Sequence, residues 1–198
     1  MKDLEKTVAV LRAGGVVLLP TDTVYGLAAR PDDEAAVERL FALKGRPRAV
    51  NLPVMVGDVA DLELLGVEMN EGAWRLARSR FVPGALTLVL GFREGGRRAA
   101  WLEGREEVAV RLPDDAFLLA VLRETGPLLV TSANRHGRGT PLEAREASLE
   151  LAGVPDLVVE GGRGREIPST VVNCRREPPV IERHGAVPAA DIEKITRL

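Results

Sequence analysis

Short apolar runs, each stopped by a polar, glycine or proline cluster, constrain this chain more than any other feature. Val16–Leu19 ends at Pro20, Leu86–Leu90 follows Pro83–Gly84, Val108–Leu112 ends at Pro113, and Leu128–Thr131 runs into Ser132–Ala133–Asn134. Apolar runs of this length, bounded in this way, read as buried strands. Further strand patterns lie at 52–56, 157–160, 170–172 and 180–183. Helical stripes come between them. Leu4, Val8 and Leu11 form one, stopped by Gly14–Gly15. Ala36, Val37, Leu40 and Phe41 form another, capped by Asp32 or Asp33 and ended near Lys44–Gly45 ahead of Pro47. A third carries Phe117, Leu118, Val121 and Leu122, from Pro113–Asp114–Asp115 to Gly126. Helices are also predicted around 58–65, 71–79 and 143–152, and at the end of the chain. Seven or eight strands then mix with five or six helices. The short strand-to-strand links at 86–112 and 170–183 favour an α/β fold with a mixed sheet over a regular Rossmann array.

At 198 residues the expectation is one domain spanning 1–198, with no repeat, low-complexity segment or linker dividing it. The 45% hydrophobic and 28% charged fractions exclude a disordered or fibrous chain. A net charge of -2 leaves no overall basic excess to hold a polyanion, so any such contact needs a local basic face. Cys174 is the only cysteine, which excludes an intrachain disulfide and a Cys-based zinc site and fits a reducing compartment. The charged, amphipathic start of the chain is unlike a secretory signal, and no apolar run approaches the ~18–20 residues of a membrane span. These features predict a cytoplasmic protein with no membrane partner.

Four constellations stand out. The segment 20–27 (PTDTVYGL) sets two hydroxyls and a carboxylate just after a buried strand, where open α/β sheets bind ligands; the alternative is a turn in which Thr21 and Asp22 bond local backbone. At 44–48, Lys44, Arg46 and Arg48 surround a helix end. They either complement the helix dipole or clamp a polyphosphate. Of the 27 basic residues 23 are arginine, and Lys44 is the only lysine away from the termini, which favours a specific role. At 131–134 (TSAN), Ser132 and Asn134 at i, i+2 can present a hydroxyl and an amide on one side of an extended segment; the alternative is an Asn-mediated turn into Gly137. Arg111 and Arg183 each end an apolar strand, suited to a carboxylate or phosphate, or else to a structural ion pair. No G-x-S-x-G elbow accompanies Ser132, and only His136 and His184 are available as an imidazole base. G-x-G-x-x-G, Walker A and H-E-x-x-H motifs are absent.

In order along the chain, PTDTVYGL (20–27), KGRP (44–47), PGALTLVL (83–90), VAVRLP (108–113), TSAN (131–134), PSTVV (168–172) and VIERHGAV (180–187) resemble the YrdC/Sua5 family of threonylcarbamoyl-AMP synthases. The resemblance implies a YrdC-like fold, a twisted mixed β-sheet with flanking helices around a large, positively lined concave cavity. It also implies the synthesis of L-threonylcarbamoyladenylate and pyrophosphate from L-threonine, bicarbonate or CO2, and ATP. Mg2+ would accompany the ATP without dedicated protein ligands. The product would pass to a tRNA threonylcarbamoyl transferase acting on adenosine 37, with weak tRNA or double-stranded RNA binding as a further partner class. Matching positions assign Thr23, Arg111, Ser132 and Ser169 to threonine, and Lys44, Arg46, Asn134 and Arg183 to the nucleotide, with Lys44, Arg46, Ser132 and Asn134 nearest the chemistry.

The chain departs from the family pattern in three places. Val50–Asn51–Leu52–Pro53 follows KGRP, Met55 falls where some members place a histidine near threonine, and the loop after SAN carries Arg135, His136 and Arg138. Because the sequence ends soon after Arg183, it resembles the short, single-domain form. Two other readings compete with the synthase. One is a non-catalytic module that holds double-stranded RNA through Arg46, Arg48, Arg135 and Arg138. The other is a paralogue, either one that transfers carbamoyl groups or one of a branch whose substrate is unknown. Under the synthase reading, a site that hydrogen-bonds the substrate hydroxyl rejects valine by a factor of roughly 10^4, while serine loses only a methyl contact worth about 1–3 kcal/mol. Steady-state rates with threonine, serine and valine check this expectation, and equal rates for valine and threonine contradict it.

Overall fold

A computed structural model describes residues 2–46, 52–135 and 137–197 of the chain. Its first half runs α1 (Lys2–Arg12), β1 (Val17–Leu19), β2 (Gly26–Ala29), α2 (Glu34–Lys44), β3 (Val54–Met55), α3 (Asp61–Leu65) and α4 (Glu71–Ala77). The second half runs β4 (Leu86–Leu90), β5 (Val108–Arg111), α5 (Ala116–Thr125), β6 (Leu128–Ser132), α6 (Ala144–Glu150), β7 (Leu157–Val158), β8 (Thr170–Asn173), β9 (Val180–Arg183) and α7 (Ala189–Thr196). Helix boundaries follow the capping chemistry. Asp33, not Asp32, caps α2 by accepting from the Ala36 amide at 3.0 Å, because Asp32 is taken by Arg30. Gly45 closes α2 at φ 58°, a left-handed turn that a side chain would resist. Asp115 opens α5 in the same manner, accepting from Leu118 at 2.8 Å.

All nine strands described join one mixed sheet in the order β7-β1-β2-β6-β3-β5-β4-β8-β9. The pairs β1/β7, β3/β5 and β4/β8 are parallel and the other five antiparallel. The mixed sheet and flanking helices agree with the sequence reading, but β2 was not anticipated. Its Gly-Leu-Ala-Ala sequence has little strand character of its own, and its place between β1 and β6 supplies the ladder.

Period-two alternation sorts the side chains. Leu18, Leu27, Leu129, Val54, Val110, Leu88 and Val172 pack on one face with α2, α4, α6 and α7 through Leu40, Leu76, Ala147 and Ile192. On the opposite face Val17, Leu19, Ala28, Val130, Leu128 and Met55 pack under Leu11 of α1 and Leu118, Val121 and Leu122 of α5. Past Met55 this second face opens into a cavity of about 630 Å³, whose floor is Ala109 and Arg111 of β5, Thr87 and Val89 of β4, and Val171 of β8. The binding surface suggested for a sheet edge therefore lies on a sheet face. No helix among the described residues is long and apolar enough to cross a membrane.

The β8–β9 hairpin closes against its own root. Thr170 donates to the Val187 carbonyl at 2.7 Å and accepts from the Val187 amide at 3.0 Å, and a Cβ on Gly185 would collide with the backbone of Pro168 and Ser169. Gly185→Ala is expected to cost about 1–3 kcal/mol, as overpacking does, lowering Tm by about 2–4 °C per kcal/mol in a chain of this size. A thermal melt measures it, and an unchanged Tm contradicts this packing.

Candidate active site

Lys44 ends α2, and its side chain is 2% exposed. Its ammonium meets four oxygens, namely the Ser132 carbonyl at 2.5 Å, the Asn134 carbonyl at 3.0 Å, Asn134 Oδ1 at 3.2 Å and Ser132 Oγ at 3.4 Å. None of the four is a carboxylate. Burial, reinforced by the charge on Arg46, pushes Lys44 down to about 8. A compact ammonium fits a cup of oxygens around one point, whereas a planar guanidinium does not, which accounts for a lysine in an arginine-rich chain. Lys44 thus fastens the end of α2 to the exit of β6. It is not among the residues that line the cavity, and it bears on the cavity through Ser132 and Asn134. Asn134 in turn donates to the carbonyls of Arg135 and Arg138, setting the course of the following loop.

Arg111 leaves the end of β5, with Met55 beside it in the parallel ladder. Its Nε donates to the Gly84 carbonyl at 2.9 Å, Nη1 to Thr23 Oγ1 at 2.9 Å, and Nη2 to Asp22 Oδ1 at 2.7 Å. The Arg111 and Asp22 side chains are 5% and 8% exposed, so the pair is buried. Desolvation pulls the Arg111 guanidinium below its ordinary value, and Asp22 opposes that pull. The structure therefore combines two of the readings left open for Arg111. The guanidinium makes an ion pair, and it also lines the cavity. Thr21 does form the local turn, accepting from the Thr23 amide and donating to the Val24 carbonyl, while Asp22 turns inward to Arg111.

The third cluster lies across β4, β8 and β9. Arg183 donates to the Ser169 carbonyl through Nε at 3.2 Å and Nη2 at 2.9 Å, and to Ser169 Oγ at 3.1 Å. Ser169 Oγ and Thr87 Oγ1 share a hydrogen bond of 2.8 Å. Burial lowers the Arg183 pKa, and the charges of Arg111 and Arg46 lower it further. Arg46 is likewise lowered by burial, and its Nε is buried without a hydrogen-bond partner. Unlike Arg111, neither Arg46 nor Arg183 forms an ion pair among the described residues.

One cavity thus gathers Thr23, Arg46, Arg111, Ser132, Asn134, Ser169 and Arg183, from six segments spread over most of the chain. Met55 lines it as well, with its thioether. Asp22, read from sequence as a carboxylate suited to a ligand or a local turn, instead pairs with Arg111. Two residues were given no role by sequence. Thr87 braces Ser169. Tyr25 donates to the Gly162 carbonyl at 2.5 Å and accepts from the Gly161 amide at 3.0 Å, pinning a glycine-rich loop at the cavity mouth. The chain's only tyrosine was the available clue to the last. Of the arginines offered as RNA contacts, Arg138 lines the cavity with Arg46, and Arg135 does not; both bond Glu150 of α6, Arg135 to its carbonyl at 3.0 Å and Arg138 to its carboxylate at 3.3 Å. Pro47, Arg48, Val50, Asn51 and His136 lie outside the described residues.

The profile of the Sua5_yciO_yrdC family, described as "Telomere recombination", matches residues 9–185. Threonylcarbamoyl-AMP synthase of Bacillus subtilis is 37% identical over 97% of this chain and 56% of its own length. The crystal structure of Pyrococcus abyssi Sua5 complexed with L-threonine superposes with a TM-score of 0.87 at 36% identity, over 98% of this chain and 57% of that one. The chain thus spans about half the length of these two relatives. The crystal structure of Escherichia coli YciO gives a TM-score of 0.82 at 28% identity, over 94% of this chain and 91% of that one.

The lowered pKa of Lys44 has a definite consequence for stability. Between about pH 8 and the ordinary lysine value of 10.5 the unfolded chain binds a proton at this site that the folded chain does not, so stability rises with pH. The difference in Tm between the wild type and Lys44→Met is expected to be flat below about pH 8 and to shift in favour of the wild type from there to about 10.5. Melts of both proteins across that range check the sign, and a parallel pair of curves contradicts the burial of a charged Lys44.

Proposed function

This chain belongs to the Sua5/YciO/YrdC family, and on that footing we propose that it is an L-threonylcarbamoyladenylate synthase, a nucleotidyltransferase acting on L-threonine, bicarbonate and ATP. The observation that carries the reading is the asymmetry of the cavity. Guanidinium groups at Arg46 and Arg183, with no carboxylate partner among the described residues, stand beside a cluster of hydrogen-bonding groups made by Thr23, Arg111, Ser132 and Ser169. The first set suits phosphates, and the second suits the carboxylate and hydroxyl of a small amino acid. Thermodynamically, the reaction joins the threonine amine to bicarbonate as a carbamate with loss of water. The carbamate oxygen then forms a bond to the α-phosphorus of ATP as pyrophosphate leaves.

Such a reaction asks for alignment and charge neutralisation more than for a base. Arg46 and Arg183 hold the phosphates, and Asn134, kept in place by Lys44, flanks the nucleotide. Arg111, Thr23, Ser132 and Ser169 orient the amino acid so that its carbamate faces the phosphorus. Mg2+ adds charge neutralisation when it arrives on the triphosphate. Among the described residues no group of three or more His, Cys, Asp or Glu side chains could hold a metal. Of the three carboxylates lining the cavity, Glu107, Glu166 and Glu182, the first and last are already bonded to Arg175 and Asn173. The donor set thus fits a metal carried by the nucleotide better than one held by the protein. The labile product goes in this reading to a tRNA threonylcarbamoyl transferase, which sets the reaction in the cytoplasm. The return of Arg135 and Arg138 to Glu150 makes the RNA-binding module the less favoured reading.

Incubation with ATP, bicarbonate and L-threonine is expected to release pyrophosphate only when threonine is present. Arg46→Ala and Arg183→Ala each remove a charge-assisted phosphate contact of about 1.5–3 kcal/mol, so kcat/KM for ATP should fall roughly 10- to 100-fold. Threonine-independent pyrophosphate release, or near-wild-type kinetics in both variants, overturns the assignment.

A further inference from the structure

Five cations serve this cavity, and the protein compensates them unequally; Arg138, at its rim, pairs with the partly exposed Glu150. Lys44 is held by neutral oxygens, whereas Arg46 and Arg183 have no carboxylate partner among the described residues. Arg111 alone has a buried counter-ion, Asp22. Asp22 does not line the cavity; it sits behind the guanidinium. The Gly84 carbonyl, Thr23 Oγ1 and Asp22 use three of the five N–H groups of Arg111, one on each nitrogen. Two N–H groups remain for a ligand on a guanidinium whose net charge is already balanced.

Charge and hydrogen-bonding capacity are separable properties of a buried arginine. An uncompensated guanidinium attracts anions according to their charge, so a polyphosphate outcompetes a single carboxylate for it. A neutralised guanidinium loses that long-range attraction and keeps its directed donors, so it selects by fit. The cavity is thereby divided into a half ruled by charge, at Arg46 and Arg183, and a half ruled by geometry, at Thr23 and Arg111.

Building on the synthase reading, we infer that Asp22 is a specificity-determining residue that keeps polyphosphate off the amino-acid subsite by neutralising Arg111. It acts through Arg111 and touches no substrate, so it is a positioning residue. Without its charge, Arg111 would join Arg46 and Arg183 in a continuous cationic surface, and pyrophosphate or the ATP phosphates would occupy the place of the amino acid.

Equilibrium binding of L-threonine with inorganic pyrophosphate as competitor tests the inference. In the wild type, pyrophosphate displaces ATP and leaves the threonine Kd unchanged. In Asp22→Asn, which keeps the acceptor oxygen and removes the charge, pyrophosphate competes with threonine. The apparent threonine Kd then rises about tenfold when pyrophosphate is present at ten times its own Kd. Asp22→Glu, which retains the charge, behaves as the wild type. A merely structural role for Asp22 would lower Tm without creating this competition. Should Asp22→Asn fail to fold, the wild type and Asp22→Glu still decide, because pyrophosphate competition against threonine in either one overturns the inference. A wild type that binds ATP but no threonine defeats the synthase reading and this inference together. A wild type that binds threonine, beside an Asp22→Asn variant whose threonine binding ignores pyrophosphate, defeats this inference alone.

Discussion

Alternation along the strands, continued across a nine-stranded sheet, is the constraint from which the cavity follows. Each strand offers one row of side chains to each face. The row carrying Leu18, Leu27, Leu129, Val54, Val110 and Leu88 is apolar from β1 to β4 and is covered by helices throughout. The opposite row is apolar only as far as Val130 and Met55, where α1 and α5 cover it. Beyond them it becomes Arg111, Thr87 and Ser169, with alanine and valine between. Polar side chains cannot be buried cheaply under an apolar helix, so the second half of this face stays open. A one-residue slip in β5 would turn Arg111 toward the apolar core and Val110 toward the cavity. The strand register is therefore also the register of the site.

Local signals were enough to read the long elements. The stripes of α1, α2 and α5 and the apolar runs of β4, β5 and β6 lie within a residue or two of where punctuation by Asp, Gly and Pro sets them. The reading failed where tertiary context overrides local preference. Strand β2 exists because β1 and β6 flank it, and β3 and β7 shrink to two residues each because pairing, not apolarity, sets their length. In the site, the residues carrying a family motif were legible one by one, but their partners were not. Asp22 and Arg111 lie 89 positions apart, and no spacing rule connects them. Lys44 was legible as unusual, whereas its cup of oxygens, made by a backbone some 90 residues away, was not.

Two solutions to the burial of a cation meet in this cavity, and they differ in what they fix. Lys44 is satisfied by dipoles, which give geometry without cancelling its charge. Its pKa is accordingly driven down, and its role is to clamp α2 to the exit of β6. Arg111 is satisfied by a carboxylate, which cancels its charge and orients its fork. Removing either partner of such a pair would leave the other uncompensated, and the penalty on the remaining group is what makes a buried pair hard to lose.

Arg183 has dipoles alone, those of Ser169, and Arg46 forms no ion pair among the described residues; burial pushes both pKa values down, in Arg183 together with its cationic neighbours. A protein gains no stability by holding such groups close together, and the proposed function accounts for the arrangement as preparation for an anion. Binding that anion would relieve the mutual repulsion. In that reading affinity is drawn from strain already present in the protein, and by linkage the same ligand stabilises the fold. At Arg111 the same burial is opposed by Asp22, which offsets part of the strain. One half of the cavity is prepared for charge and the other for shape, and the boundary between them is the ion pair behind β5.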